Sequence, residues 1–287
     1  MQYHVNGELV PAGEATVSVE DRGFRYGDAA RETLRVYGGE VFEWDAHRER
    51  LRRTCEALGM AEAVPDDLRE RVRATLAAND LSEAAVRLSV TRGQRLGGLT
   101  PSGPVDPTVV VVVEELPPGG SGGEPVWEEP AGLQTVTTRR APDDVVPATG
   151  ETHSALDRVL ARRELVAGND EALVRDAEGN VVGGAASNVF FVDEAGLNTP
   201  GTDGPVFPGV TREVVLELAE EEAIPVETGR YVPGDVRDAE EAFLTSTTWE
   251  VRPVASVDGV PVGSGPVTDL LAARYRERVE EACYRKA

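Results

Sequence analysis

The side chain with the most informative position for chemistry is Glu151, in the run Gly150-Glu151-Thr152-His153, which leads into a helix-like pattern. A carboxylate that faces a cleft could accept a proton from a substrate, and burial would raise its pKa toward neutrality. The alternative is a solvated residue at a helix N-terminus, where a negative charge is favourable. The residue type alone leaves both interpretations open.

Two further stretches have the chemistry to bind an anion. Arg50 lies in the run His47-Arg48-Glu49-Arg50-Leu51, and its rigid guanidinium fork matches phosphate oxygens two at a time. Gly209-Val210-Thr211-Arg212 precedes a predicted helix, whose first N–H groups and dipole favour a bound anion. The alternatives are a surface arginine and an ordinary turn.

The hydrophobic pattern predicts the strands and helices that must position these residues. Strands are predicted at 1–10 with a turn at Asn6-Gly7, 15–19, 32–42 with a turn at Gly38-Gly39, 86–92, 109–116, 133–138, 171–175, 188–192, 241–245 and 251–254. Helices are predicted at 45–58, capped by Asp45, at 65–78, after Glu151, at 211–222 and at 267–284. Residues 21–28 are predicted to form a loop, and 109–116 a strand buried on both faces.

A Pro/Gly-rich run at 117–125 is the clearest linker in the chain. Such a run buries almost nothing and loses maximal backbone entropy when ordered. We therefore predict a small N-terminal α/β domain at 1–116, the linker at 117–125 and a large C-terminal α/β domain at 126–287. A length of 287 residues is enough for two cores.

The composition argues against several classes of function. The net charge of −22 arises from 51 acidic and 29 basic residues, which predicts a surface that repels nucleic acid and anionic membranes. Acidic excess along the whole chain is typical of a halophilic protein, because high salt screens self-repulsion. Two cysteines, no apolar run long enough for a membrane span and no leader pattern predict a cytoplasmic protein. Three histidines without ligand spacing argue against a metal site.

The ordered motifs of the chain resemble those of fold type IV pyridoxal-phosphate enzymes. This is the class IV aminotransferase family, which includes branched-chain and D-amino-acid aminotransferases and aminodeoxychorismate lyases. The resemblance implies an α/β (α+β) two-domain fold with a cofactor cleft between the domains, and a homodimer. The matching segments are 21–28, 32–35, 47–51, 150–164, 186–191, 209–212 and 245–248.

The resemblance implies that the phosphate of pyridoxal 5'-phosphate or pyridoxamine 5'-phosphate is held by four residues. Arg50 would grip it, the start of the helix at Val210 and Thr211 would offer amides, and Thr247 would complete the cup. Three departures fall at the other end of the cofactor. Glu151 stands at the family's lysine position, Gly183 at the position of the glutamate that pairs with the pyridine nitrogen, and Ala155 at an aromatic position.

No nearby lysine can replace the missing one, because the only lysine in the chain is Lys286. A carboxylate cannot form the covalent bond that a lysine amine forms with the cofactor, so binding is predicted to be noncovalent. Without a carboxylate at position 183, the pyridine ring is expected to be a poorer electron sink.

The resemblance also places several side chains at the border of the substrate pocket, and their charge implies a substrate with carboxylates. A surface position is the alternative for each arginine. These residues are Tyr26, Arg31, Arg35, Arg92 and Arg95.

We therefore expect slow transamination between an amino acid and a keto acid with a noncovalently held cofactor. One alternative is a catalytically inactive protein that binds pyridoxal phosphate or another phosphorylated ligand. A second alternative is an activity like that of aminodeoxychorismate lyase.

Overall fold

The computed structural model describes residues 1–95, 98–101, 103–148 and 150–285. The chain forms two compact units. The first contains residues 1–118 and the described residues 150–154 and 283–285, and the second contains residues 119–148 and 155–282. The change of unit at 118/119 lies within the predicted linker. The return of 150–154 and of the chain end to the first unit has no counterpart in the prediction.

The first unit is built on a six-stranded antiparallel sheet with the order β2-β1-β6-β5-β3-β4. Its elements are β1 (Gln2–Val5), β2 (Glu8–Pro11), α1 (Arg22–Tyr26), β3 (Ala29–Tyr37), β4 (Glu40–Val41), α2 (Trp44–Ala57), α3 (Leu68–Ala77), β5 (Ala84–Thr91) and β6 (Val109–Glu115). One face of the sheet packs on α2 and α3 through an aliphatic core that includes Leu34, Leu51, Val72 and Val86. Alternation along a strand places Arg31, Thr33 and Arg35 of β3 on the opposite face.

The two hairpins predicted from glycine-containing turns are confirmed in this unit. Asn6 and Gly7 both have positive φ between β1 and β2, and β3 turns into β4 after Tyr37. The helix predicted at 45–58 is confirmed as α2. Its N-cap is Glu43, without a side-chain cap, so the prediction that Asp45 caps it was wrong.

Three other predictions for the first unit were wrong. Residues 15–19 form no strand, because β1 pairs with β2 and with β6 instead. The predicted loop 21–28 contains the short helix α1, since Asp21 accepts hydrogen bonds from the first-turn N–H groups of Gly23 and Phe24. Strand β6 is buried on one face and half-buried on the other, rather than buried on both.

The second unit is built on a nine-stranded mixed sheet with the order β12-β11-β10-β13-β14-β7-β8-β9, in which β15 also pairs with β14. Its elements are β7 (Ala131–Arg139), α4 (Leu156–Arg163), β8 (Glu171–Arg175), β9 (Val181–Gly184), β10 (Asn188–Asp193), β11 (Gly196–Pro200), α5 (Val210–Glu221), β12 (Val226–Gly229), α6 (Pro233–Arg237), β13 (Glu241–Ser246), β14 (Glu250–Val257), β15 (Val260–Pro261) and α7 (Pro266–Val279). One face carries a core that includes Leu133, Leu173, Val189 and Leu244.

Most of the predicted elements of the second unit are confirmed, but the strands β9, β11, β12 and β15 and the short helix α6 are absent from the prediction. Strands β9, β11 and β12 have four or five residues each and lie among glycine, proline and polar residues, so they carry little alternation. Among the described residues, no helix is both long and apolar enough to cross a membrane.

Candidate active site

The start of α5 is the part of the second unit best suited to bind an anion. Gly209 is the N-cap residue, with an extended backbone and no side-chain oxygen to accept from the first turn. Val210 and Thr211 follow it and are almost fully buried. Because the first N–H groups of a helix have no acceptor within the helix, they are available to a negatively charged group.

Asn188 ties the start of α5 to the end of β13. It is the register partner of Thr245, and its Nδ2 donates to the Phe207 carbonyl over 2.8 Å. A side chain on Gly209 would overlap the Asn188 carboxamide, so only glycine allows this close approach. Among the described residues, none forms a hydrogen bond with the buried hydroxyl of Thr245. Thr247 lies in the turn that follows β13, at this same end of the strand.

Gly183 lies in β9, opposite Val174, with φ of +124°. L-residues with a side chain rarely adopt this conformation, and a Cβ here would lie 2.9 Å from the Ser187 carbonyl oxygen. The backbone at this position is therefore adapted to glycine and differs from that of a residue that presents a carboxylate.

The loop after Gly183 is held by a buried carboxylate, that of Glu171. It accepts hydrogen bonds from the N–H groups of Ala185 and Ala186 at 3.2 Å each and from the hydroxyl of Ser187 at 3.2 Å. Burial raises the pKa of Glu171, although Arg162 pairs with it at 3.1 Å. We had not predicted this residue. An acidic residue at the start of the apolar run Glu171-Ala-Leu-Val is the signal that could have identified it.

Glu151 belongs to an extended stretch of the first unit. Its N–H donates to Thr54 Oγ1 over 3.1 Å, and its carbonyl accepts from the Arg31 N–H over 2.8 Å. Helix α4 begins only at Leu156, so the interpretation of Glu151 as a helix N-terminal residue was wrong. A Cβ on Gly150 would lie 2.7 Å from the Thr54 Cβ, which shows how closely this stretch packs on α2.

The Glu151 carboxylate forms an ion pair with Arg31. Arg31 Nη2 lies 3.0 Å from Glu151 Oε1, and the two side chains are 35% and 13% exposed, respectively. The structure therefore joins two residues to which the sequence analysis gave separate roles, one catalytic and one in substrate binding.

Arg50 is buried on α2 beside two other polar side chains. Its Nε and Nη2 donate to Glu32 Oε1 and Oε2 over 2.8 and 2.6 Å, and His47 Nδ1 lies 2.9 Å from Glu32 Oε2. Burial opposes ionisation of Glu32, but Arg50 outweighs it and holds the pKa of Glu32 below its usual value. For His47, burial lowers the pKa, although the adjacent Glu32 carboxylate favours the protonated imidazole. The charge of Arg50 is thus balanced by a carboxylate at close range.

Arg35 is 2% exposed and lies on the sheet face that does not carry the aliphatic core. Its Nη2 donates to the Pro117 carbonyl, and its guanidinium carbon lies 4.8 Å from the centre of the Tyr37 ring. Nε and Nη1 are buried without a hydrogen-bond partner in the part of the chain that the structure describes. Arg35 therefore keeps unused donors.

Each side-chain nitrogen of Arg92 donates a hydrogen bond within the first unit, and its role in substrate binding stays a prediction. Its Nε donates to Asp28 Oδ2 over 2.8 Å and its Nη1 to the Gly59 carbonyl over 3.1 Å, while its Nη2 donates to the Leu58 carbonyl. Nη1 and Nη2 thus tie the end of β5 to the segment after α2, and Nε ties it to Asp28, just before β3.

The two remaining predicted substrate residues are Tyr26, which ends α1, and Arg95, which lies in the loop after β5. Arg95 Nη2 donates to the Pro104 carbonyl over 2.5 Å. The guanidinium carbons of Arg22 and Arg25 each lie 5.0 Å from the centre of the Tyr26 ring. Among the described residues, no group of three or more His, Cys, Asp or Glu side chains is arranged to hold a metal ion.

Comparison with known proteins gives the family. The family described as amino-transferase class IV matches residues 29–257, which is most of the chain. The chain belongs to the class IV aminotransferase family. Over 297 residues, covering 99% of the chain and 98% of the relative, it is 30% identical to a D-alanine aminotransferase of Listeria monocytogenes.

Solved structures agree with this class IV assignment. A T.th. branched-chain amino acid aminotransferase with pyridoxamine 5'-phosphate has a TM-score of 0.87 and 28% identity, and the match covers 99% of this chain and 95% of that one. For 4-amino-4-deoxychorismate lyase from Pseudomonas aeruginosa the TM-score is 0.82 at 28% identity, covering 98% of both chains. The predicted family and the mixed α/β fold of type IV are confirmed.

Each unit is compared with the family's cofactor by itself. In the second unit, the start of α5 is suited to a phosphate group, because its first-turn N–H groups have no side-chain cap. In the first unit, the residue predicted to align with the family's lysine is Glu151, and a carboxylate cannot form a covalent bond with an aldehyde. The only lysine, Lys286, lies outside the described residues.

Proposed function

We propose that this class IV protein binds pyridoxal or pyridoxamine 5'-phosphate noncovalently and slowly transfers an amino group between an amino acid and a keto acid. The observation that carries the proposal is the start of α5, where Gly209 leaves the first-turn N–H groups uncapped. It is supported by the similarity to an aminotransferase solved with pyridoxamine 5'-phosphate.

Val210, Thr211 and Thr247 are the residues proposed to hold the phosphate, with Arg50 as a further cation. Hydrogen bonds to charged groups contribute about 1.5 to 3 kcal/mol each, so a few of them offset a large part of the free energy lost on association. Because Glu32 already accepts from two nitrogens of Arg50, we assign most of this binding to the α5 amides.

When bound, the cofactor would supply the group that accepts and returns the amine. The contribution of this chain to the chemistry would come from Glu151, whose carboxylate would take the proton from the substrate α-carbon. A positioned base of this kind contributes roughly 10²- to 10⁴-fold. Since Gly183 offers no carboxylate to the pyridine nitrogen and no lysine is available, turnover is expected to be slow.

A second candidate function, cofactor binding without turnover, is favoured by the ion pair between Glu151 and Arg31. The Arg31 guanidinium lies 3.0 Å from Glu151 Oε1, so this oxygen already accepts a hydrogen bond and is not available to take a proton from a substrate. Lyase activity is a further alternative, and an assay with 4-amino-4-deoxychorismate tests it.

The proposal is tested by adding amino acids to the protein loaded with pyridoxal phosphate and following pyridoxamine phosphate by absorbance. Slow conversion with at least one donor is expected, and Glu151→Gln should slow it by about tenfold or more, because the amide cannot accept the proton. Dialysis should remove the cofactor, and borohydride should fix none of it to the chain. If neither the wild type nor Glu151→Gln converts the cofactor, binding without turnover is favoured. A cofactor adduct on any peptide, including the one with Lys286, would contradict noncovalent binding.

A further inference from the structure

The ion pair between Arg31 and Glu151 lies on a polar patch of the first unit's sheet. Arg31 is the register partner of Ser89 across β3 and β5, and His153 Nε2 lies 3.0 Å from Ser89 Oγ. Both Ser89 and the nearby Thr33 are half-buried. The stretch 150–154 thus brings Glu151 to Arg31 and His153 to Ser89 on one side of the sheet.

The surroundings of the ion pair would allow a ligand to separate Arg31 from Glu151. The Arg31 side chain is 35% exposed, so a small ligand can reach the pair from the Arg31 side. Arg31 also keeps an unused donor, because its buried Nε has no hydrogen-bond partner among the residues that the structure describes. Nε and Nη2 form one edge of the guanidinium fork, which is the geometry that binds a carboxylate with two parallel hydrogen bonds.

The charges of the patch select the class of ligand. Arg31 and Glu151 together are neutral, so a lone anion would be repelled by Glu151 and a lone cation by Arg31. His153 adds no charge at neutral pH, because burial, together with the charge of Arg31, lowers its pKa. A ligand with one positive and one negative group close together meets an opposite charge at each.

We propose that Arg31 and Glu151 clamp the head group of a free zwitterionic α-amino acid. Arg31 binds the carboxylate and Glu151 binds the ammonium group, so the glutamate at position 151 recognises the amine of the substrate. The inference rests on the proposed function for the identity of the ligand as an amino acid, but the clamp needs no bound cofactor.

The test is isothermal titration calorimetry on protein freed of pyridoxal phosphate by dialysis. The probes are L-leucine, D-alanine and L-glutamate, with 4-methyl-2-oxopentanoate and 3-methylbutan-1-amine as analogues of leucine that carry one charge each. At least one amino acid is expected to bind. If it is leucine, each analogue should bind about tenfold to a hundredfold more weakly, because each lacks one charge-assisted contact. For alanine or glutamate, the corresponding oxo acid and amine serve as the analogues.

Variants assign the two contacts. Glu151→Gln should weaken binding of the amino acid but leave binding of the oxo acid unchanged or make it tighter. Arg31→Gln should weaken binding of the amino acid but not binding of the amine. Arg278→Gln is the matched control, because it breaks a partly exposed ion pair at 2.6 Å on α7 and should change neither affinity. If Arg31→Gln does not fold, Arg31→Lys retains the charge without the two-donor edge and should weaken amino acid binding by a smaller factor.

The inference is overturned if no amino acid binds the cofactor-free protein, if the amino acid and both analogues bind equally, or if Arg31→Gln, or Arg31→Lys in its place, leaves the amino acid affinity unchanged. The proposed function fails separately, when pyridoxal phosphate does not bind. If the protein binds the amino acid more tightly than the analogues but does not bind pyridoxal phosphate, the clamp is supported and the proposed aminotransferase function is excluded.

Discussion

At the scale of single residues, the first unit contains two neighbouring pairs of opposite charge. Arg50 is balanced by Glu32 in the interior, and Arg31 by Glu151 nearer to solvent. A lysine at position 151 would leave this group with excess positive charge, whereas glutamate makes it neutral. The residue type at position 151 therefore sets the net charge of this group of four side chains.

His47 makes the stability of the protein depend on pH. Because its pKa is lower in the folded protein than the usual 6.5, the unfolded chain takes up the proton first as the pH falls. The contribution is complete above about pH 6.5 and is lost below it, at up to about 1.4 kcal/mol per pH unit. Glu32, with a depressed pKa, adds a second loss below about pH 4.5.

Urea unfolding of the wild type and of His47→Gln between pH 5 and 8 measures this effect. The free energy of unfolding should fall more steeply below pH 6.5 in the wild type than in the variant. The comparison is needed because His4 and His153 also have lowered pKa values. Parallel curves would show that His47 does not titrate differently on folding.

At the scale of elements, the sequence predicted what local pattern determines. Turn glycines gave the hairpins β1–β2 and β3–β4, and apolar periodicity gave α2, α3 and α5. The stretch 150–154 joins the first unit through contacts with Arg31 and Thr54, which lie about a hundred residues earlier in the chain. The hydrophobic periodicity of a segment carries no information about contacts with distant residues, so the ion pair of Glu151 could not be predicted.

Gly150 fixes where this stretch lies. Gly150→Ala should destabilise the protein by about 1 to 3 kcal/mol, because the new methyl group would overlap the Thr54 side chain and force the stretch away from α2. Gly13→Ala is the matched control, since a Cβ there meets nothing within 4 Å. Urea unfolding of both variants is the measurement, and equal stabilities would contradict the packing described here.

At the scale of the whole molecule, the order of the motifs along the chain was sufficient to predict the family and the type IV fold. The phosphate-binding residues followed from the same motifs and remain predictions. The conformation of Gly183 could not be predicted, because φ of +124° depends on how β9 meets the loop held by Glu171. The strongly acidic composition affects the stability of the whole molecule through repulsion between its charges.

With a net charge of −22, the protein should become more stable as salt is added. Screening reduces the repulsion within the compact state, and the Debye length falls from about 10 Å at 0.1 M salt to about 3 Å at 1 M. The urea midpoint should therefore rise between 0.1 and 1 M KCl and should rise less in sorbitol of equal osmolality. A constant or falling midpoint in KCl would contradict the assignment of a salt-adapted surface.

Glu151→Lys tests most directly whether residue 151 occupies the place of the cofactor-binding lysine. The variant should form a covalent bond with pyridoxal phosphate, seen as a new absorption band and, after borohydride reduction, as added mass on the peptide with residue 151. Glu114→Lys, at an exposed position of β6, is the control and should capture none. Arg31→Gln in the same background removes the repulsion between Arg31 and the new amine. The predicted result is that the cofactor is captured at residue 151 and nowhere else. The prediction is contradicted if Glu151→Lys, with or without Arg31→Gln, folds and binds pyridoxal phosphate but captures none.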